Sequence, residues 1–117
     1  MLKIKRVYEA VEQSDGIRFL VERLWPRGIS KEKLQAQAWL RDISPSADLR
    51  RWYSHDLNKW VEFQQRYRAE LTSNEAGLKP ILDAMVKGSV TLLYSAHDTE
   101  HNSALVLKSF LEDSQKS

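Results

Sequence analysis

The chain contains no cysteine, only 4 glycines and 3 prolines, and no long apolar run. Without cysteine there is no disulfide, no thiolate metal site and no thiol nucleophile, which fits a reducing compartment. No apolar stretch approaches the roughly 20 residues that span a bilayer. The first residues interleave charged and apolar side chains, unlike a secretory signal. We therefore expect a cytoplasmic protein with no membrane partner.

Neither sign of charge dominates the sequence. The 117 residues carry 18 Lys and Arg against 16 Asp and Glu, which gives a formal net charge of +2. A chain so balanced has no strong field to attract nucleic acid. The charge balance therefore disfavours nucleic acid as a partner and leaves it as an alternative. The length fits one domain of ordinary size, and the composition does not indicate the oligomeric state.

The apolar pattern predicts three strands separated by helices. The first strand covers residues 2–9 and the second covers residues 17–24, after a turn at Gln13–Gly16 in which Gly16 takes a positive φ. The third strand begins at Val90 and is continuously apolar, as expected of a strand buried on both faces. These features predict a sheet that helices cover on both sides.

Helix signals fill the segments between these strands. The expected N-caps are Ser30, Asp56 and Asp98, and either Ser46 or Pro45 is expected to open another turn of helix. The clearest helix follows Asp56, another pattern covers residues 78–86, and the last helix runs from about residue 99 to residue 112. Residues 39–43 are expected to be irregular or short helical.

Together these elements predict the fold class. Strands alternating with helices indicate a single three-layer α/β domain, with a small, mainly parallel sheet flanked by helices. The domain is expected to span residues 1–117, with residues 113–117 as a frayed tail. No motif indicates a cofactor.

Polar residues cluster where the last strand gives way to the last helix. They are Tyr94, Ser95, His97, Asp98, Glu100, His101 and Asn102. Open α/β sheets bind ligands just beyond their strand ends, so this junction is the expected site. If Asp98 caps the helix, the amides of its first turn form an anion site, although Glu100 would compete with a bound anion. The alternative is that these residues only start a helix.

Residues 97–101 also match the inverted zinc-protease pattern H-x-x-E-H. That motif needs both histidines on one helix, whereas the predicted cap places His97 before the helix begins. Only sixteen residues follow His101 to supply a third ligand. The sequence therefore predicts no metal site.

Two arginines follow the second strand. Arg23 and Arg27, on either side of Trp25, lie at or near its carboxyl end, and guanidinium groups there suit a phosphate or carboxylate ligand. The alternative is that acidic residues such as Asp15 or Asp56 pair with these arginines in a structural network.

Residues 50–56 interleave arginines, aromatic residues and His55. An aromatic ring such as Trp52 beside arginine can stack on a base or a ring ligand. His55 and Asp56 could instead form a proton-transfer pair, while Asp56 also serves as a cap.

The chain resembles the YeaO-like family of small bacterial proteins, which belongs to a larger domain family of unknown function. The resemblance covers nearly the whole chain. It rests on residues 14–16, 23–28, 39–40, 44–46, 49–50, 52, 55–56, 63, 66–71, 90–94 and 101–102. It implies an α/β domain and supplies no reaction. Some relatives in the wider family place a cysteine where this chain has Tyr94 or Ser95, so a thiol mechanism is not expected here.

The sequence therefore favours an enzyme or a binding protein for a small anionic ligand bearing phosphate, nucleotide or carboxylate groups, held at the strand ends. The expected catalytic residues are His101, His55 and Asp56. The expected ligand-binding residues are Arg23, Arg27, Trp25, Trp52, Tyr94, Asn102 and Asp15, with Trp25 and Trp52 as walls. The alternatives are a nucleic-acid- or protein-binding module without catalytic activity, and a purely structural role.

Overall fold

The sheet has four strands, all parallel. In the computed structural model, which describes residues 1–115, they are β1 (Leu2–Arg6), β2 (Ile17–Leu20), β3 (Ala38–Trp39) and β4 (Val90–Tyr94). They lie in the order β1-β4-β2-β3, so β4, the last strand in sequence, pairs with both β1 and β2. The predicted α/β domain with a small parallel sheet is confirmed.

Five helices accompany these strands in the described part of the chain. They are α1 (Lys31–Leu34), α2 (Ala47–Tyr53), α3 (Trp60–Thr72), α4 (Glu75–Lys87) and α5 (Ser103–Gln115). The predicted N-cap Ser30 is confirmed, because its hydroxyl accepts the amide of Lys33. Of the two residues expected to open the next helix, Ser46 is the N-cap, and its hydroxyl accepts the amide of Leu49. Asp56 caps a 3-10 turn that leads directly into α3.

The two faces of the sheet are covered unequally. Because side chains alternate along a strand, Phe19 and Leu92 pack into the large core with α2 to α5. Leu20 and Leu93 point the other way and pack on Leu34 of α1 in a smaller core. One side is thus a thick helical layer, and the other is a thin layer of loops and one short helix.

A buried charge cluster fills part of the thin side. Asp15, which is 0% exposed, lies in the loop that connects β1 to β2. Its carboxylate contacts Lys3, Lys5 and Arg18 at 3.0, 3.1 and 2.6 Å, and its carbonyl accepts the Thr91 hydroxyl at 2.8 Å. Burial alone would raise the pKa of Asp15, but a backbone hydrogen bond from Glu12 and the three cations outweigh it and hold the pKa well below its ordinary value.

Gly16 makes the turn out of this cluster possible. Its φ is +65°, as the sequence predicts, and a Cβ placed there would lie 2.1 Å from the carbonyl oxygen of Ser89. The same carbonyl accepts the amide of Ile17 at 2.9 Å. A residue with a side chain would therefore both strain the backbone and separate β2 from the start of β4.

The first two strands are shorter than the sequence predicts. The predicted strands over 2–9 and 17–24 end at Arg6 and Leu20. Their neighbour β4 ends at Tyr94, so little backbone remains to pair with beyond that level. Val21 still donates to the carbonyl of Leu93 at 3.2 Å, after which the chain leaves the sheet.

The segment 39–43 was expected to be irregular or short helical, and this prediction is wrong in part. Ala38–Trp39 forms the edge strand β3, and only Arg41–Ile43 forms a 3-10 turn. Two residues are too few to show the alternation that identifies a strand in a sequence.

The last helix begins later than predicted. The α5 helix starts at Ser103, and Asn102 caps it by accepting the amide of Leu105 at 2.8 Å. Asp98 instead accepts the amides of Glu100 and His101 in a local turn. The predicted anion site in a first helical turn over residues 99–101 is therefore wrong, because the Asp98 carboxylate already accepts two of those amides.

The predicted frayed tail, residues 113–117, overlaps the end of α5. Residues 113–115 belong to the helix. Residues 116 and 117, the rest of that tail, lie outside the described residues.

Candidate functional site

The carboxyl ends of the parallel strands all meet at one edge of the sheet. The connections after β1 and β2 cross the thin side, where Asp15 and Leu34 lie, whereas the chain after β4 enters α5 in the helical layer. A crevice forms where neighbouring connections leave on opposite sides, and open α/β sheets bind ligands there. The connection after β4 leaves on the opposite face from those after both of its neighbours, β1 and β2. The candidate site therefore lies beyond Tyr94, at the end of β4.

The loop after β4 is fixed from both neighbouring strands. From β1, the Arg6 guanidinium donates to the carbonyls of Ser95 and Ala96 at 3.0 and 2.9 Å. From the segment after β2, the Glu22 carboxylate accepts the amide of Ser95 at 2.7 Å. These contacts occupy the backbone groups of Ser95 and Ala96, which lie nearest the strand end.

Two arginines, one in the chain after β2 and the other on α2, have no carboxylate partner in the described chain. Among the described residues, Arg23 and Arg50 form no ion pair, whereas the adjacent Arg51 pairs with Asp48. The Arg50 side chain is partly buried and donates to the carbonyl of Pro45 at 3.2 Å. Burial lowers the pKa of Arg50, and the positive charges of Arg23 and Arg51 lower it further. Two guanidiniums thus repel each other at this edge without a neutralising carboxylate.

Aromatic rings continue the edge beyond Arg50. Tyr53 lies one turn further along α2, and its ring centroid is 6.1 Å from that of Trp60 at the start of α3. The Trp60 ring meets the imidazole of His101 edge-on at 5.2 Å. The end of α2, the start of α3 and the loop before α5 therefore meet at one place.

His101 is held by a carboxylate. Its Nδ1 lies 3.0 Å from Oδ2 of Asp98. A carboxylate can only accept, so Nδ1 carries the proton and Nε2 of the neutral ring is an acceptor. The hydrogen bond from the Glu100 amide, against a smaller opposing effect of desolvation, and the contact with His101 lower the pKa of Asp98. Nε2 has no hydrogen-bond partner in residues 1–115.

Two buried tyrosines have hydroxyl groups without a hydrogen-bond partner in the described chain. The rings of Tyr53 and Tyr94 are buried, at 8% and 4% exposure, yet neither hydroxyl makes a hydrogen bond to any residue that the structure describes. No polar side-chain atom there is both buried and unpaired, so both hydroxyls reach the surface. Burial raises the pKa of each tyrosine, and the charge of Asp98 raises both further. Both hydroxyls therefore stay protonated at neutral pH.

The structure brings only some of the predicted residues together. Tyr94 and His101 lie around Asp98, and the His55 ring is 6.3 Å from that of Tyr53. Asn102 belongs to the same loop, where it bonds the carbonyl of Asp98 at 3.0 Å and caps α5.

Other predicted residues lie apart from this group. Trp25 packs on Trp39 in the core of the thin side, whereas Trp52 packs against the helical core, so the two expected walls do not face each other. Asp15 belongs to the buried cluster of cations and holds neither Arg23 nor Arg27. Asp56 accepts the amide of Asn58 and makes no contact with His55.

Arg27 is the last of the predicted ligand-binding residues. Its side chain is exposed, and its carbonyl accepts the Tyr8 hydroxyl at 2.8 Å. Its guanidinium has no ion-pair partner within residues 1–115. The loop after β2 therefore adds a further free cation, at a place where no contact joins it to Arg23.

Three residues of the site were not singled out for it from the sequence. Arg50 and Tyr53 are three apart on α2 and therefore lie on one helix face. That spacing could have been found once the helix was assigned. Trp60 was assigned to the core from its helical spacing, and its contact with His101 depends on tertiary packing alone.

Two surface depressions lie elsewhere. One, of about 380 Å³, lies between the end of β3 and α4, and the other, of about 190 Å³, lies between residues 42–46 and the end of α3. Neither is lined by a predicted site residue. A ligand at the carboxyl edge would therefore lie on a shallow surface and depend on charge and hydrogen bonds more than on enclosure.

Metal and membrane signals are also lacking in the part of the chain that the structure describes. No group of three or more histidine, aspartate or glutamate side chains there could hold a metal ion. Residues 97–101 precede α5, so the two histidines do not lie on one helix as the zinc motif requires. No helix within residues 1–115 combines the length and apolar character needed to cross a bilayer.

The fold and this edge define a small α/β protein with an open parallel sheet. The chain belongs to the family described as the inactive DUF488-N3 subclade, whose model matches residues 1–117. It is 44% identical to uncharacterized protein YeaO of Escherichia coli (strain K12) over 110 residues, 94% of this chain and 96% of that protein.

It is also 34% identical to uncharacterized protein Mb3100c of Mycobacterium bovis over 110 residues, 94% of this chain and 92% of that protein. The same values hold for uncharacterized protein Rv3073c of Mycobacterium tuberculosis (strain H37Rv). No solved structure matches significantly. The resemblance to the YeaO-like family is confirmed.

Proposed function

We propose that this protein binds a small anionic ligand at the carboxyl edge of its sheet, without catalysing a reaction on it. The observation that carries the proposal is that Arg23, in the exposed chain after β2, and Arg50, on α2, form no ion pair in the described chain, while the charge of Arg23 lowers the pKa of Arg50. An anion between them would remove their mutual repulsion and supply charge-assisted hydrogen bonds. The description of the family as inactive favours binding over catalysis.

Binding of nucleic acid through a large basic surface is less well supported than binding of a small anion. The face of Trp52 is already covered by Arg66 at 4.2 Å and Lys59 at 5.2 Å, so it offers no open ring for a base. The exposed lysines Lys31 and Lys33 lie on α1, across the sheet from α2. These cations therefore do not form one continuous surface.

The test is a thermal-shift and calorimetric titration with inorganic phosphate, citrate and a nucleoside monophosphate at low salt. A ligand at 100 times its Kd stabilises the native state by about 2.7 kcal/mol. We expect stabilisation of the wild type that is lost in Arg23→Gln and Arg50→Gln, and that weakens with added salt because the site is shallow.

Arg51→Gln is the matched control. It removes one positive charge from the same helix, at the residue next to Arg50, but the lost guanidinium is one that pairs with Asp48. The control should keep the response to the ligand. Equal stabilisation of all four proteins, or of none, would contradict the proposal.

A further inference from the structure

We propose that the depression between the end of β3 and α4 binds a small zwitterion, an α-amino acid with an apolar side chain. The ligand carboxylate contacts Arg41, and the ligand ammonium group contacts Asp42. This site shares no residue with the site of the proposed function, so either proposal can fail without the other. The depression has a volume of about 380 Å³ and is lined by Trp39, Leu40, Arg41, Asp42, Ile43, Gly77 and Pro80.

The first step is the position of the depression in the sheet. It lies at the carboxyl end of β3, which β2 separates from β4. The chain after β2 crosses the thin side to α1, whereas the chain after β3 enters the helical layer at α2. These neighbouring connections therefore leave on opposite faces, which is where an open α/β sheet forms a ligand crevice. The volume lies within the range of about 300–1,000 Å³ that is typical of small-molecule pockets.

The second step is the arginine that lines the depression. The guanidinium carbon of Arg41 lies over the Trp39 ring, 3.9 Å from its centroid. The ring is itself held in place, because its Nε1 donates to the carbonyl of Glu22 at 2.7 Å. Stacking uses the face of a guanidinium and leaves the N–H groups at its edge, which match a carboxylate. Within residues 1–115 the Arg41 side chain has no ion-pair partner and makes no hydrogen bond, so these N–H groups are available to a ligand.

The third step is the opposite charge next to this arginine. Asp42 is exposed and lines the same depression. Its backbone carbonyl accepts the side-chain amide of Asn74 at 2.9 Å, but its carboxylate has no ion-pair or hydrogen-bond partner in the part of the chain that the structure describes. A simple anion at Arg41 would be repelled by Asp42, and a simple cation at Asp42 would be repelled by Arg41. A ligand that carries both charges avoids both repulsions.

The fourth step is the rest of the lining. Leu40, Ile43 and Pro80 supply apolar surface beside the two charges. No charged residue of the described chain other than Arg41 and Asp42 lines the depression. A further charge on the ligand would therefore have no partner here, whereas an aliphatic side chain would remove apolar surface from water. An amino acid such as leucine combines the two charges with such a side chain.

The experiment compares leucine with two analogues that each lack one of its charges. Leucinamide has no carboxylate, and isocaproate has no ammonium group. Affinities are measured by NMR titration of the full chain at mildly acidic pH, where the amine of leucinamide is protonated. Each charge-assisted contact is expected to raise the affinity about three- to tenfold. The wild type should therefore bind leucine more tightly than either analogue.

Two variants identify the contacts. Arg41→Gln removes the partner of the carboxylate, so it should bind leucine no more tightly than leucinamide. Asp42→Asn removes the partner of the ammonium group, so it should bind leucine no more tightly than isocaproate. Both residues are exposed, so neither substitution is expected to disturb folding.

Arg68→Gln and Asp48→Asn are the matched controls. Arg68 also lies over an aromatic ring, that of Phe110 at 5.4 Å, but its guanidinium pairs with Asp113. Asp48 is an exposed aspartate whose carboxylate pairs with Arg51. Both controls should keep the preference for leucine over its two analogues. If the wild type shows no such preference, or if the preference survives in Arg41→Gln and Asp42→Asn, the inference is overturned.

Discussion

On the thin side of the sheet, Lys3, Lys5 and Arg18 converge on the single buried carboxylate of Asp15. At the carboxyl edge, neither Arg23 nor Arg50 has an ion-pair partner in the described chain. In the first cluster each cation has a carboxylate partner, with Glu12 as a second partner of Lys5, so this cluster is part of the fold. The second leaves its charges for solvent or a ligand. An arginine that forms an ion pair within the protein serves the structure. An arginine without such a carboxylate partner is a candidate for binding a ligand.

The same contrast holds for the buried tyrosines. Tyr67 donates its hydroxyl to the main chain, whereas Tyr53 and Tyr94 turn theirs outward. Removing a charged group or hydroxyl that bonds another residue should lower the free energy of unfolding clearly. Removing one that has no partner should change it little. The following predictions test that difference, from the largest expected effect to the smallest.

The largest effect is expected from Asp15→Asn. The substitution leaves Lys3 and Arg18 without their carboxylate and Lys5 with only that of Glu12, and removing one partner from a buried ion cluster destabilises a protein by about 3–5 kcal/mol. Urea denaturation at neutral pH measures the change in the free energy of unfolding. Asp48→Asn, which removes the exposed partner of Arg51, should change it by less than about 1 kcal/mol. Equal losses would erase the distinction between the clusters.

The pH dependence of stability should follow from the same carboxylate. The folded-state pKa of Asp15 lies below its ordinary value of 3.8, so its stabilisation is complete above that value and is lost as the pH falls below it. The loss is on the order of 2–3 kcal/mol for a carboxyl group shifted in this way. Denaturation curves at pH 7 and near pH 2 should show a larger acid loss for the wild type than for Asp15→Asn. Parallel losses would assign acid sensitivity to other groups.

A smaller effect is expected from Tyr67→Phe. It strands the buried carbonyl of Ile43, which should reduce the free energy of unfolding by about 1–2 kcal/mol. Tyr53→Phe and Tyr94→Phe remove hydroxyls that bond no residue in 1–115, so each should change stability by less than about 0.5 kcal/mol. Thermal unfolding of the three variants measures these changes. A large loss of stability in Tyr53→Phe or Tyr94→Phe would show that the hydroxyl of that tyrosine supports the fold.

The smallest effect on stability is expected from Arg23→Gln and Arg50→Gln. Removing either charge relieves repulsion and breaks no ion pair, so the change for Arg23→Gln should stay within about 0.5 kcal/mol and favour the native state. Arg50→Gln also loses the hydrogen bond to the carbonyl of Pro45, which offsets the relief of repulsion, so its change should stay within about 1 kcal/mol. Added salt should narrow this difference, because it screens the repulsion in the wild type. A clear destabilisation of both variants would mean that these arginines hold the fold together.

The sequence alone predicted the features that depend on a few adjacent residues. The cap at Ser30, the turn at Gly16 and the buried strand from Val90 are of this kind, and all three are confirmed. The placement of the candidate site beyond Tyr94 was also expected from the strand-to-helix junction.

What the sequence could not reveal depends on contacts between distant segments. Asp15 serves Lys3 and Lys5 across a loop, and no local pattern distinguishes it from a surface aspartate. The start of α5 was misplaced because Asp98 and Asn102 are both good caps, and only packing decides between them. The edge strand β3 has two residues, too few to produce a period.

The central position of β4 in the sheet affects when the protein can fold during its synthesis. β1 and β2 do not pair with each other, and each bonds the strand that is translated last. A ribosome-bound chain that has not yet reached Val90 therefore lacks the strand that joins them, and the Thr91 hydroxyl that closes over Asp15 arrives at the same moment. The long sequence separation makes that pairing slow. Assembly of the sheet must then wait until β4 has been synthesised.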